Sequence, residues 1–209
     1  MSATVVATPE MAAYCFDVII AALNYEPEPK APKSIPNVKI PLFVTWKKGP
    51  RHDLRGCIGT FGHDKPLPTT LLEYAKTSAF RDTRFDPISP SECPELHCGV
   101  SLLIHFERAK DYLDWEVGKH GIHIHFTVNG RGYSGVYLPE VAAEQGWNKI
   151  QTIDHLLRKA GHRDGIDNTL RQSIIVERFQ SSKITISYDE YRSIKTGKPM
   201  HPVGAVYEP

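Results

Sequence analysis

At 209 residues the chain is long enough for one sizeable domain or two interdependent subdomains with a real hydrophobic core. Hydrophobic residues make up 41% and charged residues 23%, an ordinary globular balance that excludes general disorder. A formal net charge of +1 argues against a broad phosphate-binding surface, so no strong nucleic-acid footprint is expected.

Met1-Ser2-Ala3-Thr4 lacks the charged and apolar regions of a secretory leader, and no run is long and apolar enough to span a bilayer. Cys15, Cys57, Cys93 and Cys98 contain no C-x-x-C pair. Free thiols in a reducing compartment are the simplest reading, which places the protein in the cytoplasm, the nucleus or both, away from any membrane.

In chain order, Pro9 to Leu23 reads as a helix, with Thr8 as N-cap and Met11, Tyr14, Cys15, Val18 and Ile19 as its buried stripe. A Pro- and Lys-rich loop over Glu26 to Pro36 leads to a strand at Leu42 to Trp46, paired with Leu54 to Phe61. Thr69 to Phe80 is a predicted helix with Leu72, Ala75, Ala79 and Phe80 inward. Arg81 to Pro94 reads as a structured loop, and Leu96 to Phe106 as a central strand. Ile122 to Val128 alternates cleanly, and Asn129-Gly130 signals a hairpin to Tyr133–Leu138. Short helices follow at Pro139 to Gln145 and Thr152 to Ala160, stopped by Gly146 and Gly161. Ser173 to Phe179 and Lys183 to Tyr188 read as a terminal hairpin, and residues 192–209 as a flexible tail after a single domain over 9–191. Hairpins dominate, so the expected fold is α+β with mainly antiparallel sheets and flanking helices, not a doubly wound alternation.

The first chemical candidate is Arg55-Gly56-Cys57-Ile58-Gly59. Two glycines beside a cysteine let the backbone bend or approach a ligand. Arg55 could fork onto a carboxylate or phosphate, or lower the thiol pKa of Cys57. The plainer alternative is a tightly packed strand with an inert, buried Cys57. A second candidate is His120 with His123 and His125; the last two share one strand face, where imidazoles can bind metal, but no fourth ligand can be named, so no metal is assigned. A third is Pro139 to Trp147, where Gln145 and Trp147 could hydrogen-bond and stack on a planar ligand. Asp82 with Asp86, or Glu92 with Glu95, are candidate carboxylate pairs on weak loop spacing. No P-loop, dinucleotide fingerprint, nucleophile elbow or H-E-x-x-H zinc motif is present, and no cofactor is expected.

Leu54 to Gly59, Ser78 to Phe85, Val100 to Leu103, Asp111 to Gly121, Tyr137 to Trp147 and Ile150 to Gly161 together resemble the AMMECR domain family, in its eukaryotic branch. The resemblance covers Met11 to Tyr191 and implies two unequal subdomains around a cleft, the larger holding both chain ends, with Arg55 to Gly59 near that cleft. By position it carries over Arg55, Gly56, Cys57, Gly59, His120, Gly121, Pro139, Gln145 and Trp147. His123 and His125 stand where the family varies, and Gly99 stands where a serine is common. No reaction is established for the family. Prokaryotic relatives occur beside or fused to a Memo-type domain, which implies a protein partner of that kind, and eukaryotic members have a suggested role in gene expression. Two readings follow. In one the chain is a cleft-based enzyme or enzyme subunit using Cys57 with Arg55. In the other it is a non-catalytic binding module for a protein, RNA or small ligand, with Gly56, Gly59, His120, Pro139, Gln145 and Trp147 lining the ligand site.

Overall fold

The computed structural model describes residues 5–197. In chain order the elements are α1 (Pro9–Leu23), β1 (Leu42–Lys48), β2 (Asp53–Thr60), α2 (Leu67–Phe80), a 3-10 turn (Pro90–Glu95), β3 (Leu96–Arg108), β4 (Gly121–Val128) and β5 (Arg131–Tyr137). They continue as α3 (Pro139–Glu144), α4 (Lys149–Lys159), α5 (Asn168–Ser173), β6 (Ile175–Ser187) and α6 (Tyr188–Thr196). The strand order is β2-β1-β3-β6-β4-β5, and β1 with β2, β1 with β3, β4 with β5 and β4 with β6 pair antiparallel. The fold is therefore α+β and antiparallel. Among the described residues no helix is long and apolar enough to cross a membrane.

The chain divides into two compact units. Unit one takes residues up to Leu102 and from Lys183 on; unit two is Leu103–Ser182. In unit one the period of two along β1 and β3 decides which face is covered. Leu42, Val44 and Trp46 pair in register with Leu102, Val100 and Cys98, and all six are fully buried. Trp46 is the anchor: its ring meets Phe16 of α1 edge-on at 5.1 Å, and its Nε1 donates to Ser78 Oγ of α2 at 3.0 Å. The same Nε1 also reaches the Ala75 carbonyl at 3.3 Å, so α2 supplies both apolar cover and the polar partners a buried Trp needs. The last helix, α6, closes on α1 through Tyr191, whose hydroxyl donates to Asp17 at 2.9 Å and whose ring stacks on Phe16.

Unit two is built on the β4–β5 hairpin. Asn129 and Gly130 both take positive φ (51° and 76°), as a two-residue turn of that hand requires. Ile122, Ile124 and Phe126 face a core shared with Ile153, Leu156 and Leu157 of α4. α4 starts on a reciprocal cap: Asn148 Oδ1 accepts from Gln151 N–H at 2.9 Å, and Gln151 Oε1 accepts from Asn148 N–H at 3.0 Å.

Four expectations change. The predicted terminal hairpin is one continuous strand, β6; Gln180-Ser181-Ser182 carries no positive φ and does not turn. A short helix, α5, precedes it, capped by Asp167 accepting from Leu170 N–H. Residues 192–196, read as the start of a tail, complete α6 and Gly197 caps it; residues 198–209 of that expected tail lie outside the described residues. The inward face of α2 is Leu67, Thr70, Leu71, Ala75, Ser78 and Ala79, because the helix begins at Leu67 after Pro66 and its polar Ser78 is recruited by Trp46.

Candidate functional site

β2 carries Arg55, Gly56, Cys57 and Gly59. Its pairing with β1 slips between Trp46 and Lys47, so Trp46 sits opposite Gly56 and Lys47 opposite Leu54, which leaves Arg55 as the extra residue of a bulge. The Gly56 Cα lies against α2: a Cβ there would stand 2.1 Å from the Ser78 carbonyl oxygen. At Gly59 a Cβ would stand 2.2 Å from the Leu42 carbonyl oxygen. Both glycines are explained by close backbone approach.

Arg55 is consumed by the loop after α2. Its Nε and Nη2 fork onto Glu92 at 2.9 and 3.1 Å, and its Nη1 and Nη2 donate to the Asp86 and Pro87 carbonyls. Glu92 also accepts from Lys48 Nζ and from the amide and hydroxyl of Ser89. The Arg55 fork, ahead of the opposing cost of burial, holds the Glu92 carboxyl at about 2.

Cys57 is half-buried, whereas Cys15, Cys93 and Cys98 are buried. The burial expected of a core thiol is therefore found at the other three and not at Cys57. Its Sγ lies 3.2 Å from Thr45 Oγ1. Its amide donates to Asp82 Oδ2 at 2.9 Å, and its carbonyl accepts from Arg84 Nη2 at 3.2 Å. Arg84 in turn forks onto Asp82 at 2.9 and 2.7 Å. Asp82 is almost fully buried, and the Arg84 guanidinium holds its carboxyl well below the ordinary range. Arg84 and Phe85, with Arg55, Thr83 and Asp86, line a groove of about 460 Å³.

Asp82 and Glu92 thus pair with arginines. The expected carboxylate pairs, Asp82 with Asp86 and Glu92 with Glu95, are corrected: each buried carboxylate takes the nearest guanidinium, because two adjacent anions would repel. Arg84 is the partner that the candidate chemistry did not single out. The available signal was the run Arg81-Asp82-Thr83-Arg84, whose alternating charges follow the helix whose Ser78 packs on Gly56.

The other expected residues belong to unit two. His120 is buried; its Nδ1 accepts from the Glu116 amide at 3.0 Å, and burial lowers its pKa. Pro139 is buried as the first residue of α3. Gln145 is the exposed C-cap of α3, and Trp147 stacks on His155 with centroids 4.0 Å apart. His123 and His125 do share a face, with rings 4.1 Å apart. Among the described residues no group of three His, Cys, Asp or Glu could hold a metal ion.

Comparison with known proteins agrees with this architecture. A profile of the AMMECR1 family matches residues 12–184. An uncharacterised protein of Arabidopsis thaliana is 48% identical, the match covering 90% of this chain and 88% of that one. An uncharacterised protein of Schizosaccharomyces pombe is 44% identical over 85% and 92%. The crystal structure of an uncharacterised protein from Pyrococcus horikoshii superposes with a TM-score of 0.69 at 27% identity, covering 84% of this chain and 89% of that one.

Proposed function

The chain belongs to the AMMECR1 family, and we propose that its Cys57 site is a non-catalytic binding site, docking a small, acceptor-bearing ligand beside Cys57. The observation that carries this reading is the closure of both arginine forks: Arg55 on Glu92 and Arg84 on Asp82. Both of these cations, which could otherwise stabilise a thiolate, already balance a carboxylate, and Thr45 shares the thiol's hydrogen bond. Cys57 then serves as a shape-defining, weakly polar contact on a backbone held rigid by Asp82 and Arg84. The adjoining groove, with Arg84 and Phe85, suits a ligand that offers acceptor atoms and a flat apolar part. The reading places the protein in the cytoplasm or nucleus, in keeping with four unpaired thiols.

The test is alkylation of Cys57 by iodoacetamide at neutral pH against a free-thiol standard. A rate at or below the standard is expected. A rate tenfold above it overturns that reading in favour of a thiol enzyme. Native mass spectrometry of the purified protein and of Cys57→Ala is the companion measurement: a bound small molecule should stay with the first and leave the second.

A further inference from the structure

We propose that the outer face of the β4–β5 hairpin carries a second site, a serine hydroxyl activated by a histidine–carboxylate pair: Ser134, His123 and Glu177. His123 lies on the face of β4 opposite Ile122 and Ile124, which fill the core. Its Nε2 is 2.8 Å from Ser134 Oγ on β5. Its Nδ1 is 4.0 Å from Glu177 Oε2 on β6, the residue directly across the ladder. A carboxylate on the Nδ1 side favours the tautomer with the proton there, which leaves Nε2 as the acceptor for the serine hydroxyl.

The imidazole is poised for that role. Its side chain is only 18% exposed, and burial, with the His125 ring beside it, lowers its pKa. Among the groups facing it are His125 on its own strand, Ser134 on β5 and Glu177 on β6. The neutral, proton-accepting form is then the resting form at neutral pH. Glu177 is placed to stabilise the imidazolium that forms on proton transfer, as a positioning residue.

Ser134 opens on a groove of about 580 Å³ that also takes in His125, Thr127, Gly132 and Ile175. Ile175 is a large apolar side chain left 47% exposed. An apolar wall beside a nucleophile, with no Asp, Glu, Lys or Arg in the lining, suits a small uncharged carboxylic ester. In the reaction Ser134 Oγ bonds to the carbonyl carbon while its proton moves to His123 Nε2. The ester C–O bond then breaks, and the departing alcohol oxygen takes that proton. Water cleaves the acyl-serine by the same route, giving the free acid and restoring the Ser134 hydroxyl.

The experiment treats the full chain with a fluorophosphonate and locates the adduct by peptide mass spectrometry, alongside turnover of p-nitrophenyl acetate. One adduct, on Ser134, is expected. Ser134→Ala should abolish it, and His123→Gln should slow labelling roughly a hundredfold. Labelling should rise with pH to a plateau, with a midpoint below that of free histidine. Glu177→Gln should move that midpoint lower still, since an anion that favours the imidazolium is gone. Absence of an adduct on Ser134 in the unaltered protein overturns the proposal whatever the variants do. So does a labelling rate that His123→Gln leaves unchanged in a folded protein.

Discussion

Arg55 and Glu92 meet fork to fork, Nε on Oε1 at 2.9 Å and Nη2 on Oε2 at 3.1 Å, across 37 residues of sequence. Both side chains are about 15% exposed, so the pair is shielded from solvent screening. Arg55→Lys keeps the charge and loses the fork and two carbonyl contacts, and should cost about 1–3 kcal/mol in urea unfolding at pH 7.

Glu92 ties the same pair to pH. Its carboxyl is held at about 2 against an ordinary 4.5. The folded state therefore favours the ionised form. The stability this contributes is present above the ordinary value and is lost as pH falls from there through about 2. Urea midpoints at pH 7 and pH 3 should show the unaltered protein weakening steeply. Glu92→Gln should start lower and change less. Parallel curves would assign the acid sensitivity to other groups.

At Gly56 the obstacle is backbone, not a movable side chain. A Cβ 2.1 Å from the Ser78 carbonyl forces β2 off α2. Gly56→Ala should destabilise by roughly 3 kcal/mol, the upper end of ordinary overpacking. Gly132→Ala is the control, since a Cβ there meets nothing within 4 Å. Thermal melts of the two variants should separate clearly.

His120 gives a second pH effect with a different window. Burial, then Arg178 and Lys119, lower its pKa in the fold. The unfolded chain takes up a proton near pH 6.5 while the folded chain resists it, so stability is present above that pH and is lost below it. Protonation of Nδ1 would also break its bond from the Glu116 amide. Unfolding free energy should drop between pH 7.5 and 5.5, and His120→Asn should flatten that drop.

Local chemistry made much of the fold readable. Pro9 and Asn129-Gly130 set element starts and turns through their own φ preferences, and those elements stand where expected. What failed was non-local. Gln180-Ser181-Ser182 is polar enough to read as a turn, yet the ladder to neighbouring strands keeps it extended. The site was half legible for the same reason. Arg55 to Gly59 stood out as a motif, but its meaning depends on Ser78, Asp82, Arg84 and Glu92, which are distant in sequence and reach it only after α2 has packed. Adjacent residues in the chain announce a site more readily than the partners that neutralise it.

The Asn148–Gln151 cap of α4 offers a local counterpart. Asn148→Ala removes the acceptor for the Gln151 amide and should cost about 1 kcal/mol, read as a lower urea midpoint. Asn148→Ser should recover most of it.

The division of β6 between the two units sets an order of events on the ribosome. Leu103–Ser182 is one uninterrupted stretch, whereas the larger unit needs both its early strands and the final segment of β6. At ~5–20 residues per second, β1, β2 and the first half of β3 emerge on the order of several seconds before that segment does. Throughout that interval β3 is an open strand edge beside finished neighbours, the geometry most given to mispairing. The inserted unit can fold first; the unit that holds Cys57 is completed only after the last segment of β6 has followed it.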